Sequence, residues 1–174
     1  VPPDYHIRSY CPGDETAWED IVAESYDNEN RRKFCETMKE DPAFCTDCIL
    51  FCLHHDEPIG TASAWHCSID GPQTGRLHML AVKKGHRGKR LGYNLCAAVL
   101  QKFTAQGRNR ALLTTEDFRL AAIATYLKLD FLPFLTNENQ RDRWRNVLTQ
   151  LGPNAYWTEE LYGSLNGALH DPIA

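Results

Sequence analysis

The sequence predicts a single α/β domain (α+β by some schemes) whose strands are joined partly as hairpins and whose helices precede and follow them. Three observations predict it. Short apolar runs of strand length alternate with longer runs in which apolar residues recur every three or four positions. Two of the short runs, "CILFCL" and "GTASAWHCSI", are divided only by the turn-forming "HHDEPIG". The chain, 174 residues and 43% apolar with no periodic repeat, is long enough to bury one real core.

Residues 5–10 form the first expected strand. In "CPGDETAWEDIVAESY" Pro12 and Gly13 are turn residues, Asp14 is the expected cap, and Trp18, Ile21, Val22 and Ser25 fall at helical spacing. A second helix is expected over residues 30–40, with Phe34 and Met38 one turn apart. Asp41 and Pro42 end it, because the residue before a proline is pushed out of the helical region. The hairpin follows, and residues 75–82 make a third strand of the same sheet. Residues 90–106 read as a helix with Leu91, Leu95, Val99 and Phe103 four apart and Gly107 as its stop. A strand over 110–115, a helix over 119–129 striped by Leu120, Ile123 and Leu127, and a strand over 131–135 complete the order β, α, α, β, β, β, α, β, α, β. Residues 141–151 form a further helix with Trp144, Val147, Leu148 and Leu151 on one side, and the remainder is rich in turn residues.

A formal net charge of −4 argues against a surface made throughout for nucleic acid or anionic membrane, and leaves room for a local basic site. No apolar run approaches the roughly 18 residues of a membrane span. The opening "VPPDYHIRSY" lacks the charged and then apolar layout of a signal peptide, so a cytoplasmic location is expected. Seven cysteines, an odd number at scattered spacing, read as reduced thiols.

The segment "LHMLAVKKGHRGKRLGYNLCAAVL" carries the chemistry. A strand runs into Gly85, Gly88 and Gly92 interleaved with Arg87, Lys89 and Arg90, and a helix opens there. Glycines admit close backbone approach, the helix start carries unpaired N–H groups and positive dipole, and the cations add charge, which together suit a phosphate. A solvated basic turn would have the same composition. A nucleotide P-loop does not fit, since Arg90 follows Lys89 where Ser or Thr is needed and the glycine spacing is wrong. The dinucleotide glycine fingerprint is also absent, and the preceding strands read as antiparallel.

These residues resemble the GNAT superfamily of N-acetyltransferases, whose signature is a strand followed by Arg or Gln, two residues, Gly, one residue, and Gly or Ala. In "HMLAVKKGHRGKRLG", Arg87 opens that signature, Gly92 closes it, and Arg90 stands at the middle glycine. Downstream, "DFRLAAIATYLKLDF" is similar to the second signature: Tyr126 matches its tyrosine, Phe131 its phenylalanine, and Asp130 replaces the usual glycine. The resemblance implies a GNAT-type fold, with a central, mixed, mostly antiparallel, splayed sheet flanked by helices. The resemblance covers roughly residues 5–135, and a GNAT domain is expected over residues 1–151 with a C-terminal tail over 152–174 that packs on the domain or extends from it.

The resemblance also implies acetyl-CoA as co-substrate. Leu80, Ala81 and Val82 would pair with the pantetheine arm, and Arg87, Gly88, Lys89, Arg90, Leu91 and Gly92 would hold the pyrophosphate. Arg90 is expected to contact phosphate. The implied reaction is direct attack of a primary amine on the thioester, with Tyr126 as general acid, since a phenol with a reference pKa near 10 is protonated at pH 7. His78, expected on the strand face shared by Leu80 and Val82, is one candidate base and otherwise a core histidine. Glu116, with Asp117 beside it, is another, and acids at such a turn also cap helices.

The cluster "CTDCILFCLHH" has the density of a zinc site. If Cys48 to Leu53 is a strand, Cys48 and Cys52 stand roughly 13 Å apart at about 3.3 Å per residue, too far for one tetrahedral centre. No metal is expected, and both read as small buried apolar residues. The activity expected is N-acetyl transfer from acetyl-CoA to an unidentified amine, by a monomer or homodimer without nucleic-acid or membrane partners. The alternative is a non-catalytic acyl-CoA sensor or interaction domain.

Overall fold

The computed structural model describes residues 1–26, 32–152 and 158–170. It falls into two compact units, Val1–Leu113 and Thr114–Ala174. The first unit holds a five-stranded sheet of β1 (Tyr5–Ser9), β2 (Ile49–His54), β3 (Glu57–Trp65), β4 (Thr74–Val82) and β5 (Arg110–Leu112), ordered as numbered. Neighbours from β1 to β4 are antiparallel, and β5 joins β4 in parallel after the crossover through α2 (Leu91–Ala105). This is the mixed, mostly antiparallel sheet that the sequence predicts.

The hairpin turn is made by His55 and Asp56, both at positive φ (47° and 67°), the handedness that a two-residue connection needs to match strand twist. Directly opposed residues share a face, so the register sorts the sheet. Gly60, Ala62 and Ala64 of β3, with Cys52 and Leu77 opposite, lie on one face. Thr61, Ser63 and Trp65, with Phe51 and Ala81 opposite, lie on the other. Trp18, Ile21 and Val22 of α1 (Glu15–Tyr26) pack on that second face with Ile49, Phe51, Trp65, Met79 and Ala81. Helix α2 covers the first face. Gly75 marks its closest approach: a Cβ there would lie 2.3 Å from the Phe103 ring.

Asp14 caps α1 in an unusual way. Its carbonyl accepts from Trp18 N–H (2.9 Å), opening the helix, while its carboxylate turns back to Cys11 N–H (2.7 Å) and the Arg8 guanidinium (2.6 and 2.8 Å). The cap therefore also ties α1 to β1. Glu15 accepts from Tyr10 Oη (2.5 Å), and burial together with this bond pushes the phenol up to about 12.

Two expectations need correction. In place of the helix expected over 30–40, of which residues 30 and 31 lie outside the described residues, the chain makes one wide π-type turn, Cys35–Lys39. Phe34 and Met38 are nonetheless both buried, so the periodicity reported burial rather than helix length. Residues 131–135 form no strand. Pro133 has no N–H to give a ladder, and the Phe131 N–H is taken by the Tyr126 carbonyl (3.1 Å).

The second unit is helical: α3 (Leu120–Leu127), α4 (Asn139–Leu151) and α5 (Glu159–Asn166). Leu135, Leu148, Leu161 and Leu165 form its core, with Trp144 against them. Thr158 caps α5 by accepting from Leu161 N–H (3.2 Å), and Arg141 of α4 donates to the Leu165 and Gly167 carbonyls. Among the described residues no helix is long and apolar enough to cross a membrane.

Gly75→Ala is expected to destabilise the chain by about 1–3 kcal/mol through overpacking against Phe103, read as a lower urea midpoint at unchanged slope. Phe103→Leu in the same chain should recover part of that loss. A second outcome concerns acid. Hydrogen bonding to Arg8 holds the Asp14 carboxyl below the usual carboxylate range. Its contribution is therefore present above the unfolded value and is lost as pH falls through the folded one. Asp14→Asn should be less stable than the unmodified chain at neutral pH, with the gap closing on acidification when both are melted across the acid range.

Candidate functional site

Strand β4 carries the site. Only Thr74, Gly75 and Arg76 pair with β5, so from Leu77 to Val82 the strand has no neighbour on that side among the described residues. The sheet opens at this point. On the other side the ladder slips: His78 opposes Ser63 and Ala81 opposes Thr61, so three steps on β4 match two on β3. Met79, at φ 53°, absorbs the extra residue as a β-bulge. The Tyr26 hydroxyl, at the end of α1, donates to the Leu80 carbonyl (3.0 Å).

The bulge moves His78. Val82 opposes Gly60 and His78 opposes Ser63, three residues along β3, so the two lie on opposite faces. His78 therefore does not share a face with Val82, as simple alternation predicts. It lies half-buried on the α1 side beside Trp65, with ring centroids 5.7 Å apart. Desolvation, reinforced by the charges of Arg32 and Arg76, holds the imidazole below its ordinary value, so it is neutral at pH 7. Opposite it, Ser63 buries a hydroxyl that has no hydrogen-bond partner among the described residues.

Beyond β4 the loop is held from several sides. Lys83 N–H adds a rung to the Ile59 carbonyl (2.9 Å), and Lys84 N–H donates to the Glu24 carboxylate (2.5 Å). Arg87 bonds the Val82 carbonyl (3.2 Å) and, through Nη2, the carbonyl and hydroxyl of Ser25 (3.3 Å each). It fastens β4 to α1. Gly88 (φ 80°) and Arg90 (φ 59°) are left-handed while Lys89 is not, an alternation that turns successive amides toward one side.

No side chain caps α2, and its first intrahelical bond runs from Asn94 N–H to the Arg90 carbonyl (3.0 Å). The amides of Leu91, Gly92 and Tyr93 thus precede the hydrogen-bond ladder, at the positive end of the dipole. A Cβ at Gly92 would meet nothing within 4 Å. The loop, the helix start and the open β4 edge fit an extended, amide-bearing chain that ends in phosphate.

The remaining candidates lie in the second unit. Tyr126 is buried in the last turn of α3, edge to face with Phe131 at 6.1 Å. Glu116 is exposed ahead of that helix. Asp117 is paired with Arg143 (2.8 and 2.9 Å), and α3 has no side-chain cap, so neither acid serves as one. Asp130, like Arg90, stands where the signature has glycine and keeps a left-handed backbone (φ 60°). Both positions retain the conformation while changing the side chain.

Burial pushes the Cys48 and Cys52 thiols up to about 11. Among the described residues no group of three or more His, Cys, Asp or Glu side chains could hold a metal. Sequence reasoning missed the tyrosines Tyr26 and Tyr5, whose hydroxyls reach Leu80 and the Lys83–Arg90 loop; their partners are 54 and more residues away, so no local pattern announces them.

The family model described as "Acetyltransferase (GNAT) family" matches residues 14–131, spanning the α1 cap, the loop and Phe131. The chain belongs to the GNAT family. Mycothiol acetyltransferase of Streptomyces scabiei (strain 87.22) is 24% identical over 143 residues, 79% of this chain and 46% of the relative, so the chain spans about half of that protein. Among solved structures, diaminobutyrate acetyltransferase EctA of Paenibacillus lautus, in complex with L-2,4-diaminobutyric acid and coenzyme A, matches with TM-score 0.61. It is 14% identical, with 79% of this chain and 76% of that one covered. The ribosomal-protein-S18-alanine N-acetyltransferase of Escherichia coli matches with TM-score 0.59 and 17% identity, over 72% of this chain and 76% of that one. At these identities the likeness is one of fold, and it is the GNAT fold.

Arg90→Gly is expected to stabilise the chain by up to about 1 kcal/mol, because the left-handed penalty removed exceeds the chain entropy that glycine adds. Asp130→Gly should gain less, since Asp tolerates that conformation better. Urea titration of the two variants measures the difference.

Proposed function

We propose that the chain is an acetyl-CoA-dependent N-acetyltransferase that moves an acetyl group to a primary amine by direct attack on the thioester. The observation that carries this reading is the continuity of the unpartnered β4 edge with an amide-lined loop at the start of α2. Acetyl-CoA supplies the activated acyl group. The backbone of Leu80, Ala81 and Val82 receives its pantetheine arm, and Arg87, Gly88, Lys89, Arg90, Leu91 and Gly92 hold its pyrophosphate through their amides. The Arg90 side chain is exposed and adds a charge-assisted bond to the same phosphates.

Two proton transfers complete the chemistry. Tyr126 protonates the departing thiolate, a role that suits a phenol buried at the end of a short helix. His78, neutral for the reasons given, takes the proton of the attacking amine, and Glu116 is the second candidate acceptor. A diaminobutyrate acetyltransferase and a ribosomal-protein-S18-alanine N-acetyltransferase share the fold, so the fold does not limit the size of the amine.

Thiol release from acetyl-CoA against a panel of amines tests the reading. Tyr126→Phe should lower kcat by about 10²–10⁴-fold while leaving CoA affinity unchanged. Burial holds His78 below its ordinary value, so it loses its role only as pH falls through that lowered value; the unmodified enzyme should show that acid limb in kcat/KM, and His78→Gln should not. CoA binding without amine-dependent thiol release would instead establish a non-catalytic acyl-CoA-binding domain.

A further inference from the structure

The corner where β1, the end of β2 and the loop before α2 meet holds a chain of polar groups outside the acetyl-transfer chemistry. Tyr5 is buried and directly opposes His54, with ring centroids 4.6 Å apart. His54 in turn lies 5.1 Å from His86 and 4.2 Å from His55. The Tyr5 hydroxyl has two partners: Lys89 Nζ at 2.8 Å and His86 Nδ1 at 3.0 Å.

Donor counting fixes the direction of the Lys89 bond, and the Nε2–H tautomer of His86 fixes that of the other. An ammonium only donates, so Lys89 occupies a lone pair of the phenol oxygen. The phenol has one hydrogen, and it is used when His86 Nδ1 accepts it. His86 is then neutral and carries its own hydrogen on Nε2. That N–H has no recorded acceptor among the described residues, and Lys89 keeps two further donors. Both side chains belong to the loop that delivers the α2 amides, with Lys89 directly before Arg90, whose carbonyl opens the helix.

The charges around His86 explain why it is neutral. Partial burial comes first, then the charge of Lys89, His54 of β2 and, more weakly, Lys83 of the loop; all hold it below its ordinary value. Glu57, at the start of β3, opposes them but is itself paired with Lys83 (2.8 Å). A phosphoryl group against Lys89 would offset the part of this suppression that comes from the Lys89 charge.

We propose that His86 and Lys89, oriented together by the Tyr5 hydroxyl, form a phosphoryl-binding pair at the outer edge of the loop, and that a phosphoryl group held there brings a proton onto His86. The proton comes from solvent and enters at Nδ1, which changes from acceptor to donor toward Tyr5. The phenol hydrogen then turns to water or to the bound phosphoryl oxygen. This inference rests on the reading of the loop as a CoA site. CoA offers two sources of the group, its pyrophosphate and its ribose 3′-phosphate.

Binding raises the pKa of His86, so affinity increases as pH falls through the bound value and levels off below the free value. The gain is up to about tenfold for each unit of rise. Calorimetric titration between about pH 6 and pH 8 tests this, using CoA and CoA lacking its 3′-phosphate on the full chain, Tyr5→Phe and His86→Gln. In the unmodified chain, binding should take up protons, seen as a heat that varies with the ionisation enthalpy of the buffer. His86→Gln should lose that uptake, retaining only the effect of the ligand's own phosphate ionisation, and Tyr5→Phe should bind more weakly with reduced uptake.

Effects confined to CoA that carries the 3′-phosphate assign that group as the occupant; effects that persist without it assign the pyrophosphate. Tyr5 is buried, so its variant is checked by thermal melting, and His86→Gln, in the half-exposed loop, keeps the test decisive if Tyr5→Phe unfolds. Binding by His86→Gln with unaltered proton uptake overturns this proposal alone. Absence of binding by the unmodified chain overturns the CoA reading and this proposal with it.

Discussion

The site depends on an asymmetry of one strand: β4 is paired with β3 from Arg76 to Val82, and with β5 only at Thr74, Gly75 and Arg76. A strand edge left without a partner inside a sheet exposes donors and acceptors that something must satisfy, and water or an extended ligand are the physical options. The bulge at Met79 adds a second constraint, since it reverses which side chains face α1 just where pairing to β5 has ceased. Tyr26, bonded to the Leu80 carbonyl, braces the strand there from the α1 side. Shape and polarity of the cleft therefore follow from backbone registry more than from the side chains that line it.

The basic run that follows is less free than its composition implies. Lys83 is paired with Glu57, Arg87 with backbone carbonyls and Ser25, and Lys89 with Tyr5. Much of the cationic character is thus spent on giving the loop its shape, and the helix amides remain as preorganised donors.

The five strands, the hairpin and both long helices of the first unit were legible because apolar periodicity and turn residues report burial directly, as with Leu91, Leu95, Val99 and Phe103. The strand-to-helix junction itself was legible because a glycine-rich polar run separates the two apolar periods there. The face of His78 was not, since one inserted residue inverts alternation and a bulge at a methionine leaves no mark in the sequence. The strand expected at 131–135 failed because apolar content does not reveal where the backbone hydrogen bonds go; Pro133 was the residue that should have ruled it out. The Tyr5 contacts were invisible for a different reason: they join positions 81 and 84 residues apart.

That separation bears on how the chain acquires its shape. The β2–β3 hairpin closes over two residues and has a short search to make, whereas docking β1 against β2 and the loop requires closing long segments whose entropy must be lost before any contact compensates for it. Contact order therefore places the loop among the late-forming parts, even though Tyr5 leaves the ribosome first. A nascent chain carries its anchor long before the anchored segment exists, and the loop takes its final shape only when the two ends of that delay are joined.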